Sequence, residues 1–257
     1  MWLKNEKWDS EKYRMLKKLL FIVLSALPFN PLQGGIYAVL VGVSKYQKQA
    51  DNLAYCHRDA IEMYALLKDH TPSDRMILLT DEQAKYDNIV YHTKKLFQQA
   101  QQDDMVIFFF SGHGNSNFFK TYDKNLNFST LQSIFKQTTA NRKLIFANAC
   151  FSGALRRPAS PTTTTNINPG KNVLLFLSSR SNQQSFEESV LRNGIFTYFL
   201  IAGLKGEADA NNDGIITARE LFDFVNPKVR ERTNDKQVPV IWGKFDEQMI
   251  ILRLTNN

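Results

Sequence analysis

Residues 105–114 read MVIFFFSGHG: six apolar residues, then Ser111, a glycine, His113 and a second glycine. An apolar run without alternation predicts a strand that is covered on both faces, as in a parallel sheet. Residues 144–149 (LIFANA) form another such run, which leads directly into Cys150. Because ligands bind at the carboxyl ends of the strands in open α/β sheets, the two stretches predict an imidazole and a thiol at one edge of a sheet.

The rest of the chain alternates short apolar runs with amphipathic stretches. This alternation is typical of an α/β protein with three layers, in which helices cover both faces of a mostly parallel sheet. We predict strands over 36–43, 76–80, 105–110, 144–149 and 173–178, and helices over 53–68, 88–100 and 129–137. The tail is predicted to add helices over 196–205 and 218–225 and short strands near 238–242 and 248–254.

The composition suits one globular domain. The chain has 257 residues, 43% of them hydrophobic, and a net charge of +7. Part of this charge is local, because residues 1–27 hold six basic and three acidic residues and leave a net +4 for the rest. Basic residues form no block elsewhere in the sequence, so we do not expect nucleic acid as a partner.

The N-terminal segment has the pattern of a secretory signal. Residues 14–27 read RMLKKLLFIVLSAL, a positive start followed by a nine-residue apolar run in which only Ser25 is polar. Nine residues are too few for a stable membrane span, which needs about 20. We therefore predict a leader over 1–35, a domain over 36–257, and a secreted or periplasmic protein. If residues 14–27 instead form a helix packed on the domain, the protein is cytoplasmic.

The cysteines and histidines suggest nucleophilic catalysis. Of the two cysteines, Cys56 falls in a predicted helix, whereas Cys150 follows a buried strand. Taken alone, Cys150 would be a small core residue, but the glycines around His113 make that turn poor core material. A thiolate activated by an imidazole is a nucleophile with its general base. The backbone amides of Gly114 and Cys150 are the candidate oxyanion donors.

The order of these motifs resembles the caspase-like cysteine peptidases, most closely the bacterial metacaspase type. The resemblance rests on Ser-Gly-His-Gly after one strand and Asn-Ala-Cys-Phe-Ser-Gly after the next. Residues 36–46 (IYAVLVGVSKY), 53–60 (LAYCHRDA) and 177–187 (LSSRSNQQSFE) also resemble the family's first strand, first helix and the strand-loop after the nucleophile. The resemblance implies a caspase–haemoglobinase fold, a Cys–His dyad and cleavage of protein or peptide substrates after a defined P1 residue.

The resemblance also implies a substrate pocket. Relatives that cleave after basic residues hold the P1 side chain with two acids. One matches Asp59, and the other falls where this chain has Asn148. We expect Asp59, Asn148 and Ser178 to bind substrate and Arg or Lys to be preferred at P1. The alternatives are a non-catalytic caspase-like signalling or binding module, and a calcium-sensing protein whose basic surface meets a membrane or nucleic acid.

Residues 209–220 read DANNDGIITARE and match the calcium loop of an EF-hand. Oxygen ligands stand at positions 1, 3, 5, 7 and 12 of that loop, and a glycine at position 6 permits the sharp turn. We predict a bound Ca²⁺ ion whose ligands are Asp209, Asn211, Asp213, the carbonyl of Ile215 and Glu220.

Overall fold

The computed structural model describes residues 34–115, 117–149, 173–180, 183 and 185–254. Residues 1–33 of the predicted leader and Cys150 lie outside these residues. In chain order the elements are β1 (Ile36–Gly42), α1 (Cys56–Leu67), β2 (Met76–Thr80), α2 (Tyr86–Phe97), β3 (Met105–Ser111), β4 (Phe118–Lys120), β5 (Asn125–Asn127), α3 (Phe128–Gln137), β6 (Arg142–Asn148), β7 (Val173–Leu177), β8 (Glu187–Glu188), β9 (Asn193–Gly194), α4 (Ile195–Ala202), a π-helical turn (Gly203–Glu207), β10 (Ile215–Thr217), α5 (Ala218–Arg232), β11 (Val240–Lys244) and β12 (Ile250–Arg253).

The apolar runs form a central sheet. Within the described residues this sheet has six strands in the order β11-β7-β6-β3-β1-β2. All neighbouring strands are parallel except β11, which pairs with β7 in the antiparallel sense. Every residue of β1 and β3 is buried, as expected for strands covered on both faces. The predicted mostly parallel α/β sheet is therefore confirmed.

Helices cover the two faces of the sheet. On β3, Phe109 packs in a cluster that includes Met63 of α1 and Phe196 of α4. Phe108 points to the other face and packs in a cluster that includes Phe97 of α2. Helix α5 joins the first cluster and α3 the second. Alternation along each strand thus separates the core into two layers around the sheet.

The register of the sheet brings three strand ends to one level. Ser111 at the end of β3 lies opposite Gly42 at the end of β1 and opposite Asn148 at the end of β6. Because the three strands are parallel, the loops that follow them leave from the same edge. This edge carries His113.

Two parts of the fold differ from the sequence prediction. Helix α5 was predicted to end at residue 225 but continues to Arg232 through Pro227. Val225 and Val229 are both buried, so the apolar stripe continues past the proline and outweighs the lost backbone hydrogen bond. The hairpins β4–β5 and β8–β9 were not predicted, because strands of two or three residues are too short to show periodicity.

No helix among the described residues is both long and apolar enough to cross a membrane.

Candidate active site

His113 lies in the turn after β3 and is held by its backbone and by its ring. Its backbone N–H donates to the Tyr46 hydroxyl at 2.8 Å, and the two rings lie 5.2 Å apart between centroids. Its Nε2 lies 2.9 Å from the backbone carbonyl oxygen of Asp51. A carbonyl oxygen only accepts hydrogen bonds, so Nε2 carries the ring proton. The lone pair is therefore on Nδ1, the nitrogen that can act as a base.

The turn that carries His113 packs against the end of β6. The backbone N–H of Gly112 donates to the carbonyl of Asn148 at 3.1 Å. A Cβ atom placed on Gly114 would lie 3.2 Å from Cβ of Ala149, so these two backbone segments are in close contact. Ala149 is the residue before Cys150, which lies outside the described residues. The structure therefore brings the imidazole turn alongside the last described residue before the thiol.

Ser178, predicted to bind substrate, is fully buried and contacts the same segment. Its hydroxyl accepts a hydrogen bond from the backbone N–H of Ala149 and donates to the carbonyl of Ala149, both at 3.2 Å. It also contacts the hydroxyl of Ser185. Ser178 thus fixes the backbone of the residue that precedes Cys150.

Asp59 and Asn148 are brought into direct contact beneath the strand ends. Nδ2 of Asn148 donates to Oδ2 of Asp59 at 2.9 Å, and both side chains are buried. The Asp59 carboxylate accepts four further hydrogen bonds, and we call the whole group the Asp59 cluster. Its other donors are the Ser111 hydroxyl at 2.6 Å, the Thr197 hydroxyl at 3.0 Å, the Gly194 N–H at 3.0 Å and the Asn193 amide at 3.1 Å.

Burial and hydrogen bonding act in opposite directions on the Asp59 carboxyl group. Burial disfavours the charged form and raises the pKa from 3.8 to about 6, although hydrogen bonds from Ser111, Gly194, Asn148 and Thr197 lower it. The five donors fill the lone pairs of the two oxygens. Asp59 is therefore mostly ionised at neutral pH, but it has no vacant acceptor position for another donor.

Asn148, unlike Asp59, has an acceptor atom without a donor. Its Oδ1 atom is buried and has no hydrogen-bond partner within the described part of the chain. A buried polar atom without a partner costs about 1–3 kcal/mol. Asn148 therefore offers the Asp59 cluster's vacant acceptor.

Gly194 makes the close packing of this cluster possible. A Cβ atom at Gly194 would lie 1.9 Å from Nδ2 of Asn148 and 2.9 Å from Oδ2 of Asp59. No side chain fits at that distance, so a glycine is required for the approach of β9 to the strand ends.

The predicted calcium loop has the backbone geometry that its sequence implies. Gly214 at position 6 has φ +75°, the left-handed conformation that favours glycine. The Asp209 carboxylate accepts from the N–H groups of Asp213 and Gly214 at 3.1 and 2.9 Å, and Asn211 Oδ1 accepts from the N–H of Asp213 at 2.9 Å. Ile216 is buried and pairs with Leu252 of β12. The loop is therefore anchored to the domain by a strand pair.

Glu220, the last predicted ligand, caps helix α5 in the structure. Its Oε2 accepts hydrogen bonds from the backbone N–H and the hydroxyl of Thr217 at 3.0 and 2.7 Å, and the Thr217 hydroxyl accepts from the N–H of Glu220. This is a capping box at the start of α5. Accordingly, the described residues contain no group of three or more His, Cys, Asp or Glu side chains placed to hold a metal. The side-chain donors of the loop are of the oxygen type that Ca²⁺ prefers.

Several residues of this site were not predicted from the sequence. Tyr46 and Asp51 contact His113, and Asn193 and Thr197 contact Asp59. Tyr46 ends the segment 36–46 that was compared with the caspase-like peptidases, so its place in that segment was the available signal. The other three residues stand in no motif, and only the fold brings them to the site.

Comparison with known proteins identifies the family. The family model described as a caspase domain matches residues 36–249. None of the curated protein sequences matches significantly. Among solved structures, protein GSU0716 from Geobacter sulfurreducens is similar with a TM-score of 0.65 and 18% identity, over 86% of this chain and 100% of that one. Caspase-1 from Spodoptera frugiperda is similar with a TM-score of 0.64 and 15% identity, over 88% of this chain and 92% of that one.

These two likenesses confirm the caspase-like fold of the six-stranded sheet. The family model covers most of the chain. The protein is therefore a member of the caspase domain family, and this membership supports a cysteine-peptidase-like function.

Proposed function

We propose that this protein is a cysteine endopeptidase in which Cys150 is the nucleophile and His113 is its general base. The packing of the His113 turn against Ala149, the residue before Cys150, carries the proposal. A general base must lie within hydrogen-bond reach of the proton that it removes. The orientation of the His113 ring supports the same role, since its proton is on Nε2 and its lone pair on Nδ1.

The proposed reaction proceeds through a thioester. Nδ1 of His113 takes the proton of the Cys150 thiol, and the sulfur attacks the carbonyl carbon of the scissile peptide bond. The C–N bond then breaks, and the leaving amine takes the proton from Nδ1. Water hydrolyses the thioester after losing a proton to Nδ1, which returns it to the sulfur as the acid product leaves.

Backbone amides are the proposed donors to the oxyanion. Gly114 forms a bridge with Phe119, but the two hydrogen bonds of this bridge are made by the carbonyl of His113 and the N–H of Asn115. The bridge therefore leaves the N–H of Gly114 for a substrate. Together with the N–H of Cys150, it would stabilise the charge that develops on the carbonyl oxygen.

We propose a preference for Arg or Lys at P1. A buried carboxylate at Asp59 that is mostly ionised at neutral pH supports this preference through its charge. Because the Asp59 oxygens already have five donors, the substrate's hydrogen bond would go to Oδ1 of Asn148, which has no partner among the described residues. Both side chains are buried, so the Asp59 cluster would have to open to admit the P1 side chain. One neutral acceptor holds a cation less firmly than a second carboxylate does, so we expect modest affinity for basic residues.

Fluorogenic peptides with Arg, Lys or Asp at P1 test the function. We expect Cys150→Ala and His113→Ala each to lower kcat/KM by about 10³-fold or more, because each removes a reacting group. Cys56→Ala is the matched control, since Cys56 is a buried free cysteine outside the dyad and the variant should keep its activity. Asn148→Asp supplies the second acid, so it should raise kcat/KM for the Arg peptide above the wild-type value. Turnover only after Asp would overturn the P1 proposal, and full activity of Cys150→Ala would overturn the dyad.

The second candidate is a non-catalytic caspase-like module. The saturated Asp59 carboxylate and the amide at Asn148 favour it, because both weaken the expected pocket for a basic residue. The same peptides decide between the two functions: a module without catalysis hydrolyses none of them at any P1 residue.

We also propose that residues 209–220 bind Ca²⁺. Asp209, Asn211 and Asp213 would supply side-chain oxygens, Ile215 its carbonyl, and Glu220 a bidentate carboxylate. The left-handed turn at Gly214 and the β10–β12 pair support this proposal. The ion would stabilise the turn between the π-helical segment and α5.

A further inference from the structure

An ion pair joins two segments that contact His113, one through its ring and the other through its backbone. Nζ of Lys120, on β4, lies 2.6 Å from Oδ2 of Asp51, in the short helical turn Gln49–Asp51. The backbone carbonyl of Asp51 is the group that accepts the hydrogen bond from His113 Nε2 at 2.9 Å. The position of that carbonyl therefore depends on the turn whose side chain Lys120 holds.

Lys120 is also bound to His113 through the backbone. Its N–H donates to the carbonyl of His113 at 2.9 Å. Its ammonium lies 5.5 Å above the ring of Tyr46, whose hydroxyl accepts from the N–H of His113. One lysine thus connects the backbone of His113, the aromatic ring beside it and the turn that orients its imidazole. These contacts form a closed ring around the histidine.

We propose that Lys120 and Asp51 are positioning residues that fix the tautomer and orientation of the His113 ring for proton transfer. This inference rests on the proposed dyad, because it assigns the ion pair a role in that dyad. The pair is partly exposed, with 34% and 23% of the two side chains accessible. Pairs of this kind contribute little to the stability of the fold. Their effect is therefore expected in catalysis rather than in unfolding.

The geometry explains how the pair would act on the reaction. With Nε2–H held by the Asp51 carbonyl, the lone pair on Nδ1 stays directed away from that carbonyl and available to the thiol. Without the ion pair, the turn can move and the ring can adopt the other tautomer, in which Nδ1 carries the proton and cannot act as a base. Small displacements of a catalytic group cost up to about 10²-fold in rate.

Kinetics of Asp51→Ala, Lys120→Met and the double variant test the proposal. We expect each single variant to lower kcat about tenfold with little change in KM, and the double variant to fall within about twofold of either one, because both break one interaction. Lys120→Arg keeps the charge and should retain most of the activity. Independent losses that multiply to about 100-fold in the double variant would contradict the proposal.

The chain offers a matched control in the turn of the same hairpin. Lys124 pairs with Asp87 and lies 5.6 Å above the ring of Tyr86, so it has the same kinds of contact as Lys120 but none with His113. Lys124→Met should leave kcat unchanged. An equal loss in Lys124→Met would show a general effect of charge and overturn the specific role of Lys120.

Long-range ¹H–¹⁵N spectra of the histidines give a readout that does not need catalysis. In a Cys150→Ala background we expect His113 as the Nε2–H tautomer, and a mixture of tautomers after Lys120→Met. An unchanged tautomer would refute the positioning role. If the wild-type protein hydrolyses no peptide at all, the proposed function fails, while this comparison still decides whether the ion pair orients His113.

Discussion

Asp59 carries a carboxyl group that the fold buries completely and surrounds with five donors. The donors stabilise the charged form, yet burial raises the pKa from 3.8 to about 6. Desolvation is therefore the larger effect. In the folded protein the group binds its proton more tightly than in the unfolded chain.

This shift predicts how stability changes with pH. Between about pH 6 and pH 4 the folded state holds more protons on Asp59 than the unfolded state does, so the free energy of unfolding should rise as the pH falls through this range. The whole contribution is about 3 kcal/mol, and above pH 6 it is absent. Urea unfolding of the wild type and of Asp59→Asn, compared at several pH values, measures it as the difference between the two curves.

A second variant shifts the pKa of Asp59 without removing its carboxyl group. Thr197→Val removes a hydrogen bond that lowers the pKa of Asp59, so the pH-dependent change should move to higher pH than in the wild type. Should Asp59→Asn keep the wild-type dependence on pH between 4 and 6, another group would be responsible and the assignment would be wrong.

At the scale of elements, the loop of residues 209–220 and helix α5 share one side chain. Glu220 is the third residue of α5 and closes its capping box, but it is also position 12 of the calcium loop. A capping box accepts Gln as well as Glu, whereas bidentate binding of Ca²⁺ requires the carboxylate. The two roles can therefore be separated by one substitution.

We predict that Glu220→Gln has nearly wild-type stability without calcium and gains nothing from it. The wild type should gain about 2.7 kcal/mol at a calcium concentration 100 times Kd, because the ion binds only the folded state. Thermal unfolding with calcium and with a chelator measures both. Thr217→Ala is the control for the cap and should lose about 1 kcal/mol in the chelator. A calcium-independent midpoint in the wild type would show that the loop does not bind the ion.

The elements also show which local features the sequence can predict. The strands that end at Ser111 and Asn148 were predicted because about six apolar residues without alternation are too short for a buried helix and are typical of a strand covered on both faces. The end of α5 was placed too early, although a proline such as Pro227 usually marks the end of a helix, because the buried Val229 continues the apolar stripe beyond it. The β4 strand with Lys120 has three residues and no periodicity, so the positioning pair could not be predicted.

At the scale of the whole molecule, the contacts of the candidate site are distant in sequence. The five donors to Asp59 are separated from it by 52 to 138 residues. The sequence predicted that Asp59 and Asn148 share a pocket only through a resemblance to a family. It could not predict that the two side chains bond to each other, because that depends on how closely Gly194 lets β9 approach.

The two core layers predict how substitutions in the core combine in the free energy of unfolding. Phe97 is buried in the layer with α2 and α3, and Phe196 in the layer with α1, α4 and α5, so the sheet separates them. Phe97→Leu and Phe196→Leu should each cost about 1–2 kcal/mol in the free energy of unfolding, and the double variant should cost their sum within about 0.5 kcal/mol.

Phe176 provides the contrast, since the centroid of its ring lies 5.1 Å from that of Phe196 in the same layer. Phe176→Leu combined with Phe196→Leu should depart from additivity by about 0.5–1.5 kcal/mol. Urea unfolding measures these four variants and Phe176→Leu alone, and two separate transitions after Phe97→Leu would show that the two layers do not unfold together.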